Sequence, residues 1–386
     1  MSPLLALSLV AFLAVMAMAS VMGGWRDALV QAGSNGKDKA GGEDPPGFAT
    51  LVIPARNAAE TIGPLLQDLH AQDWPKDRYE VLVVDDGSGD GTAAIVRGMM
   101  AAWPALRLIT AEGRGKKAAI AQAVQLAQGG HVVLTDADAR CGTRRLGRIM
   151  AAFRHEGPDL LLMPVATEGA GLLGRLQQEE QMALLGVAAG TALQGWPILA
   201  NGANMAFSKQ AFLAVGGYAG DRWAGGDDLF LLRRMRKHGR KVDYLPDAQA
   251  AVVVQAEPDL GGFWRQRLRW AGKMRAVGGE GLWLPLLALL LPWFLVYVTC
   301  SVTVDELMRQ RPMAVLLFVG GAWLLWLLPV ASLVGAVRKF LAGVPGLVVK
   351  GHALSTIAAF LAFQVYAPLV AVASLFARPV WKGRRV

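Results

Sequence analysis

The sequence predicts an α/β domain built on a mostly parallel sheet flanked by helices, with one N-terminal and about three C-terminal transmembrane helices. Three observations carry that expectation. Continuous apolar runs alternate with helically spaced segments from Phe48 to about Gly279, the pattern of strands covered on both faces. Long apolar stretches lie at both ends of the chain. Two strand-like runs, YEVLVVDDG (79–87) and HVVLTDAD (131–138), finish in carboxylates, and open parallel sheets bind ligands at the carboxyl ends of their strands.

Taken in order, residues 1–26 read as a membrane anchor. The stretch 3–25 has no ionisable residue and is long enough to span a bilayer. It lacks a positive n-region and is followed by Arg26, so it reads as an uncleaved helix whose C-terminal end lies inside. Residues 27–47, polar and Gly-rich, read as a flexible linker. FATLVIPA (48–55) is the first strand, and Ile62, Leu65, Leu66 and Leu69 give the next helix its apolar face. The strand 79–87, a helix from about Thr92, the strand LRLIT, the helix KKAAIAQAVQLAQ and the strand 131–138 follow. The domain 48–279 ends in a cationic, aromatic segment, FWRQRLRWAGKMR (263–275), expected to lie as an amphipathic helix on anionic lipid. Residues 280–386 form a membrane region with apolar runs near 282–302, 313–337 and 353–377. Three spans after a cytoplasmic domain put the cations of RPVWKGRRV (378–386) outside, against the positive-inside bias. The Pro-containing run 282–302 is therefore a candidate for an interfacial or re-entrant segment.

Hydrophobic residues make up 54% of the 386, and the net charge is +9, which favours anionic partners. Nucleic acid is disfavoured, because the cations cluster beside the membrane runs. Cys141 and Cys300 are far apart and form no CxxC, so neither a disulfide framework nor a zinc site is indicated. GSGDGT has the wrong glycine spacing for a dinucleotide fingerprint, EGRGKKA lacks the Ser/Thr of a Walker A loop, and no HExxH occurs.

The chemistry lies in the acids. Asp136 and Asp138 sit one residue apart after an apolar run, and on a strand the two side chains share a face. Two like charges side by side call for a cation, and a hard Mg²⁺ or Mn²⁺ would also hold a diphosphate. The plain alternative is an Asx turn. Asp85-Asp86-Gly87-Ser88 reads equally as a turn with a helix cap. Asp227-Asp228 precede an apolar-periodic helix, where an Asp N-cap is common.

Together, VVDDGSGDGT, TDADA, GGDDLFLL and Gln266-Arg-Leu-Arg269-Trp270 arrive in the order found in one family. Over roughly 48–275 the chain resembles the membrane-associated family 2 glycosyltransferases of GT-A fold, the group that contains ceramide glucosyltransferase and the cellulose and hyaluronan synthases. That resemblance implies an inverting, metal-dependent transfer of sugar from a UDP-sugar. It implies that Pro54, Ala55, Asp85 and Asp86 lie along the nucleotide, that Lys116 approaches the donor sugar, and that Asp136 faces the ribose or sugar while sharing the metal with Asp138. It further implies that Asp228, with Asp227 beside it, is the catalytic base, and that Gln266, Arg269 and Trp270 hold the diphosphate and roof the acceptor site. Asp227 stands where the family usually has Glu.

The expected acceptor is a hydroxylated membrane lipid at the cytoplasmic face of a bacterial inner membrane, because three C-terminal runs are few to enclose a polymer channel. Processive polysaccharide synthesis is the alternative within the enzyme class. A catalytically silent, membrane-tethered nucleotide-sugar scaffold is the alternative outside it.

Overall fold

Two helices and three strands at the front of the domain follow the sequence pattern closely. After helix α1 (Pro3–Asn35) come β1 (Ala49–Ala55), α2 (Ile62–His70), β2 (Tyr79–Asp85), α3 (Thr92–Met100) and β3 (Leu106–Thr110). The chain continues through α4 (Lys116–Leu126), β4 (His131–Thr135), β5 (Arg140–Cys141), α5 (Arg145–Ala152), β6 (Leu160–Leu162) and β7 (Val165–Glu168). The long α6 (Gly171–Leu193), β8 (Asn204–Ser208), α7 (Lys209–Ala214), α8 (Asp227–Lys237), β9 (Val242–Tyr244), β10 (Val252–Gln255) and α9 (Leu260–Val277) complete the domain. Three apolar helices follow: α10 (Trp283–Met308), α11 (Pro312–Leu341) and α12 (Ala353–Phe376). This computed structural model describes residues 3–35, 47–154, 157–221, 226–277, 283–310, 312–377, 380–381 and 384–385.

The central sheet has seven strands in the order β3-β2-β1-β4-β8-β6-β9. β1 pairs in parallel with both β2 and β4, β2 with β3, and β6 with β9. Only β8 runs antiparallel to its neighbours β4 and β6. A smaller sheet, β5-β10-β7, lies alongside. Both faces of the large sheet are buried, which explains the unbroken apolar strands. Val52, Leu82, Val84 and Leu134 face a core with Ile120 and Val124 of α4 and Leu231 and Leu232 of α8. Leu51, Ile53, Val81 and Val83 face the other core, with the apolar residues of α2 and Leu146 and Ile149 of α5. The expected α/β architecture is therefore present, with one antiparallel strand inserted.

Among the described residues, four helices are long and apolar enough to cross a membrane: Ala6–Gly33, Leu286–Met308, Leu317–Leu341 and Ala353–Phe376. The run considered for an interfacial or re-entrant path is one continuous helix, α10, through Pro292. The segment expected to be a linker is partly helical, because α1 continues to Asn35. The reason is burial: Leu29, at 2% exposure, packs into the sheet's core with Val334 and Val337 of α11. Residues 36–46 of that segment lie outside the described residues.

Helix α6 joins the domain to these apolar helices. Three glycines or glycine contacts let backbones approach: Gly24 of α1 faces Gln194, Gly186 faces Leu333 of α11, and Gly190 faces Trp25. Two adjacent glutamates add directed contacts. Glu179 accepts from Arg338 Nη2 at 2.8 Å, Ser355 Oγ at 2.7 Å and Thr356 Oγ1 at 2.9 Å, tying α6 to α11 and α12. Glu180 pairs with Arg267 of α9. A Cβ on Gly190 would collide with the Trp25 backbone and side chain. Gly190→Ala is expected to destabilise the full chain by about 1–3 kcal/mol, the usual range for overpacking, read as a lowered Tm in detergent.

Candidate active site

A cleft of about 1200 Å³ opens where β1, β2 and β4 end. Of the residues singled out from sequence, Pro54, Ala55, Asp86, Lys116, Asp136, Asp138, Asp227, Asp228, Gln266, Arg269 and Trp270 all line it. Asp85 does not. Its Oδ1 accepts from the backbone N of Ser88 at 3.0 Å and from Ser88 Oγ at 2.5 Å, closing the turn after β2.

Backbone geometry fixes the end of the cleft beside β1 and β2. Asp86 is 5% exposed; its N–H donates to the Ala55 carbonyl at 2.8 Å, and its Oδ2 accepts from Gly115 N at 3.1 Å. Gly115 has φ of +90°, a conformation open to glycine and costly for other residues. That turn starts α4 and directs Lys116 into the cleft. Lys116 Nζ lies 2.7 Å from Asp136 Oδ1 and 3.0 Å from Asp227 Oδ2, and it also donates to the Gly202 carbonyl at 3.3 Å. Burial alone would lower its pKa; Asp136, Asp227 and Asp228 outweigh burial and raise it.

Asp136 and Asp138 are neighbours for a different reason from the one read in the sequence. β4 stops at Thr135, and the two acids belong to a turn in which Ala139 N donates to the Asp136 carbonyl at 3.1 Å. The Asp136 carboxyl is raised to about 6: burial pushes it up, Lys116 pulls it down, and Asp138 and Asp227 push it up. The pair offers hard oxygen donors under mutual repulsion, which fits a divalent cation of the Mg²⁺ or Mn²⁺ type. Among the described residues no third His, Cys, Asp or Glu completes a cluster, so the remaining ligands would be donor and water oxygens.

Asp227 and Asp228 occupy the first two positions of α8, and the N-cap is Gly226 at φ +79° rather than either acid. Both carboxylates are buried, at 4% and 7% exposure. Asp228 accepts from Leu229 N at 2.8 Å and from Gly202 N at 3.3 Å. Gly202 has to be small: a Cβ there would stand 2.5 Å from Asp227 Oδ2 and 2.9 Å from Lys116 Nζ. Tyr218 stands near the same acids. Burial, and then Asp227, Asp228 and Asp221, push its phenol well above the ordinary value.

Helix α9 closes the other side. Gln266 Nε2 donates to Glu257 Oε1 at 3.0 Å. Arg269 lies within the electrostatic field of the D-x-D acids: burial lowers its pKa, and Glu257, Asp136 and Asp138 partly offset that. The expectation that this helix spends its cations on lipid fails for Arg267, which is 5% exposed. Its guanidinium lies over the rings of Phe263 and Trp270, at 4.2 and 4.6 Å, and pairs with Glu180. Stacking plus a buried counter-charge is a favoured setting for arginine.

Sequence reasoning also missed the support beneath the D-x-D turn. Arg145, 1% exposed, donates to Asn204 Oδ1 at 2.8 Å and to Thr135 Oγ1 at 2.9 Å. Asn204 donates in turn to the Pro164 and Ala250 carbonyls, at 2.7 and 2.9 Å. One cation thus locks the end of β4 to β8, the strand that follows Gly202. An Arg in a helical run gives no sequence signal for this.

The family model for glycosyl transferase family 2 matches residues 50–213. Over that stretch the chain is similar to the family, and its fold is GT-A-like. Two relatives and one solved structure give the likeness in particular. The chain is 27% identical over 226 residues to a poly-beta-1,6-N-acetyl-D-glucosamine synthase of Staphylococcus aureus, covering 58% of this chain and 53% of that protein. It is 30% identical over 228 residues to a beta-monoglucosyldiacylglycerol synthase of Synechocystis sp., covering 57% and 46%. The chain therefore spans about half the length of the curated relatives it matches. It is similar in fold to the mannosyltransferase PcManGT from Pyrobaculum calidifontis, solved in complex with GDP-Man and Mn2+, with a TM-score of 0.52 and 22% identity over 92% of this chain and 99% of that one.

Removing the buried guanidinium would leave Asn204 Oδ1 and Thr135 Oγ1 without their donor. Arg145→Met is expected to cost about 1–3 kcal/mol for the orphaned acceptors, measured as a lowered Tm of the detergent-solubilised full chain.

Proposed function

We propose that this protein is an inverting, metal-dependent glycosyltransferase that moves a sugar from a UDP-sugar to a hydroxyl of a membrane lipid at the cytoplasmic face of the membrane. The observation that carries the reading is convergence: Asp86, Lys116, Asp136, Asp138, Asp227, Asp228, Gln266, Arg269 and Trp270 share one cleft, and that cleft reaches the apolar helix α12.

In this reading Asp86 and the ends of β1 and β2 hold the nucleoside. Asp136 and Asp138 would hold a divalent cation, which supplies positive charge to the donor diphosphate when bound. Asp228 removes the proton from the acceptor hydroxyl as that oxygen bonds to the anomeric carbon. The bond from the anomeric carbon to the diphosphate oxygen breaks on the opposite face, so configuration inverts and UDP leaves. Arg269, already in the field of the D-x-D acids, stabilises the negative charge of the leaving group. Lys116 keeps Asp136 and Asp227 in register before the donor arrives. Trp270, held against Arg267, covers the acceptor.

Polymer synthesis is a second reading, favoured by the likeness to a poly-beta-1,6-N-acetyl-D-glucosamine synthase. Membranes containing the full chain, incubated with radiolabelled UDP-sugars and Mn²⁺ or Mg²⁺, separate the two. Label in the chloroform–methanol phase supports lipid transfer, and label in the ethanol-insoluble residue supports the polymer. Asp228→Asn is expected to reduce transfer by about 10²–10⁴-fold, the scale of a lost general base, with UDP binding retained. Metal-independent transfer, or full activity in Asp228→Asn, would overturn the mechanism.

A further inference from the structure

The cleft does not stop at the acids. Helix α6 contributes Gln177, Glu180, Gln181, Leu184, Leu185 and Ala188 to its wall, spaced so that they form one face of the helix. The face changes character along its length, from amide and carboxylate beside α9 to purely aliphatic. Across from it, α12 contributes Phe363, Tyr366, Ala367, Val370 and Ala371, again one helical face and about 12 Å long at 1.5 Å per residue. Beyond Tyr366 the wall is made of Leu, Val and Ala side chains, which offer no hydrogen bond and no ring for a sugar to stack on.

The opposite face of α12 has its own signature. Leu361, Val365, Leu369 and Val372 are exposed on a helix long and apolar enough to cross a membrane. Exposed aliphatic residues in a continuous stripe are what a bilayer-facing surface requires. α12 is therefore a wall one helix thick, with lipid on its outside and the apolar arm of the cleft on its inside.

We infer that this arm is the slot for the aliphatic part of a hydroxylated lipid acceptor, and that the small side chains of Ala367 and Ala371 set its bore. The inference rests on the lipid-transfer reading and gives it a location. The polarity gradient orients the occupant: its hydroxyl end toward Asp228, its chain between α6 and α12. A growing glycan would meet aliphatic walls where it needs polar ones.

The test uses the full chain in phosphatidylcholine nanodiscs containing a diacylglycerol with a diazirine in one acyl chain, and, separately, a phosphatidylcholine carrying the same chain. After irradiation, labelled positions are mapped by mass spectrometry. The diacylglycerol probe is expected to mark Leu184, Leu185, Ala367 or Ala371, and the phosphatidylcholine probe only the outer stripe. Labelling of the outer stripe alone, or equal entry of phosphatidylcholine into the arm, would overturn the slot. Ala371→Trp is expected to abolish the inner labelling and to raise the KM for diacylglycerol by about tenfold or more, as for a misfit in an apolar pocket, whereas Leu369→Trp on the outer face changes neither. The two readings fail separately. An ethanol-insoluble product with inner labelling intact removes lipid transfer and the acceptor role with it, and leaves the arm as a site that holds a lipid without glycosylating it. A lipid product without inner labelling removes the slot and keeps lipid transfer.

Discussion

A single ammonium holds the site together. Lys116 lies within 3.0 Å of carboxylates from two distant parts of the chain, Asp136 after β4 and Asp227 at the start of α8. Asp138 and Asp228 stand beside them in the same cleft. Four carboxylates gathered in a partly dry space repel one another, and such repulsion is only weakly screened away from solvent. The raised pKa of Asp136 and the raised pKa of Lys116 are two sides of that balance. Two glycines make it possible: Gly115 turns the lysine inward, and Gly202 leaves room for the ion pair to form.

Behind this pair the site is built by long-range ties. Arg145 fixes the strand end that carries the D-x-D turn, through Thr135 and Asn204. Glu180 fixes α9 through Arg267, and Glu179, its neighbour, fixes α11 and α12 through Arg338 and Thr356. α6 thus aligns the wall bearing Arg269 and Trp270 with the apolar helices. Buried ion pairs contribute little net stability because desolvation offsets their attraction. Their effect here is geometric: each pairs a specific residue of α6 with a specific residue of another helix.

Much of this was legible in the sequence. Unbroken apolar runs gave the strands at 48–55 and 79–87 because both sheet faces are covered, and Asp86 after the second of them, with Asp136 and Asp138 after β4, marked the cleft. Other features depend on partners that periodicity does not encode. The pairing of Asp136 with Asp138 looked like strand alternation, yet a turn produces it. The helical continuation to Asn35 depends on Leu29 finding the core, which local composition, rich in Gly and polar residues further on, obscures. Arg267 looked like a lipid-facing cation because its counter-charge, Glu180, sits far away in the chain. Gly202 and Arg145 carried no motif at all; their importance comes from what surrounds them in space.

The role given to Lys116 has a direct test that needs no donor and no acceptor. Mn²⁺ binding to the full chain and to Lys116→Ala, measured by electron paramagnetic resonance without nucleotide, compares the acidic cluster with and without its internal cation. If Lys116 neutralises Asp136 and Asp227, its removal leaves excess negative charge and Mn²⁺ binds Lys116→Ala more tightly than the wild type. Unchanged or weaker Mn²⁺ binding in Lys116→Ala, with the fold intact, would contradict the account.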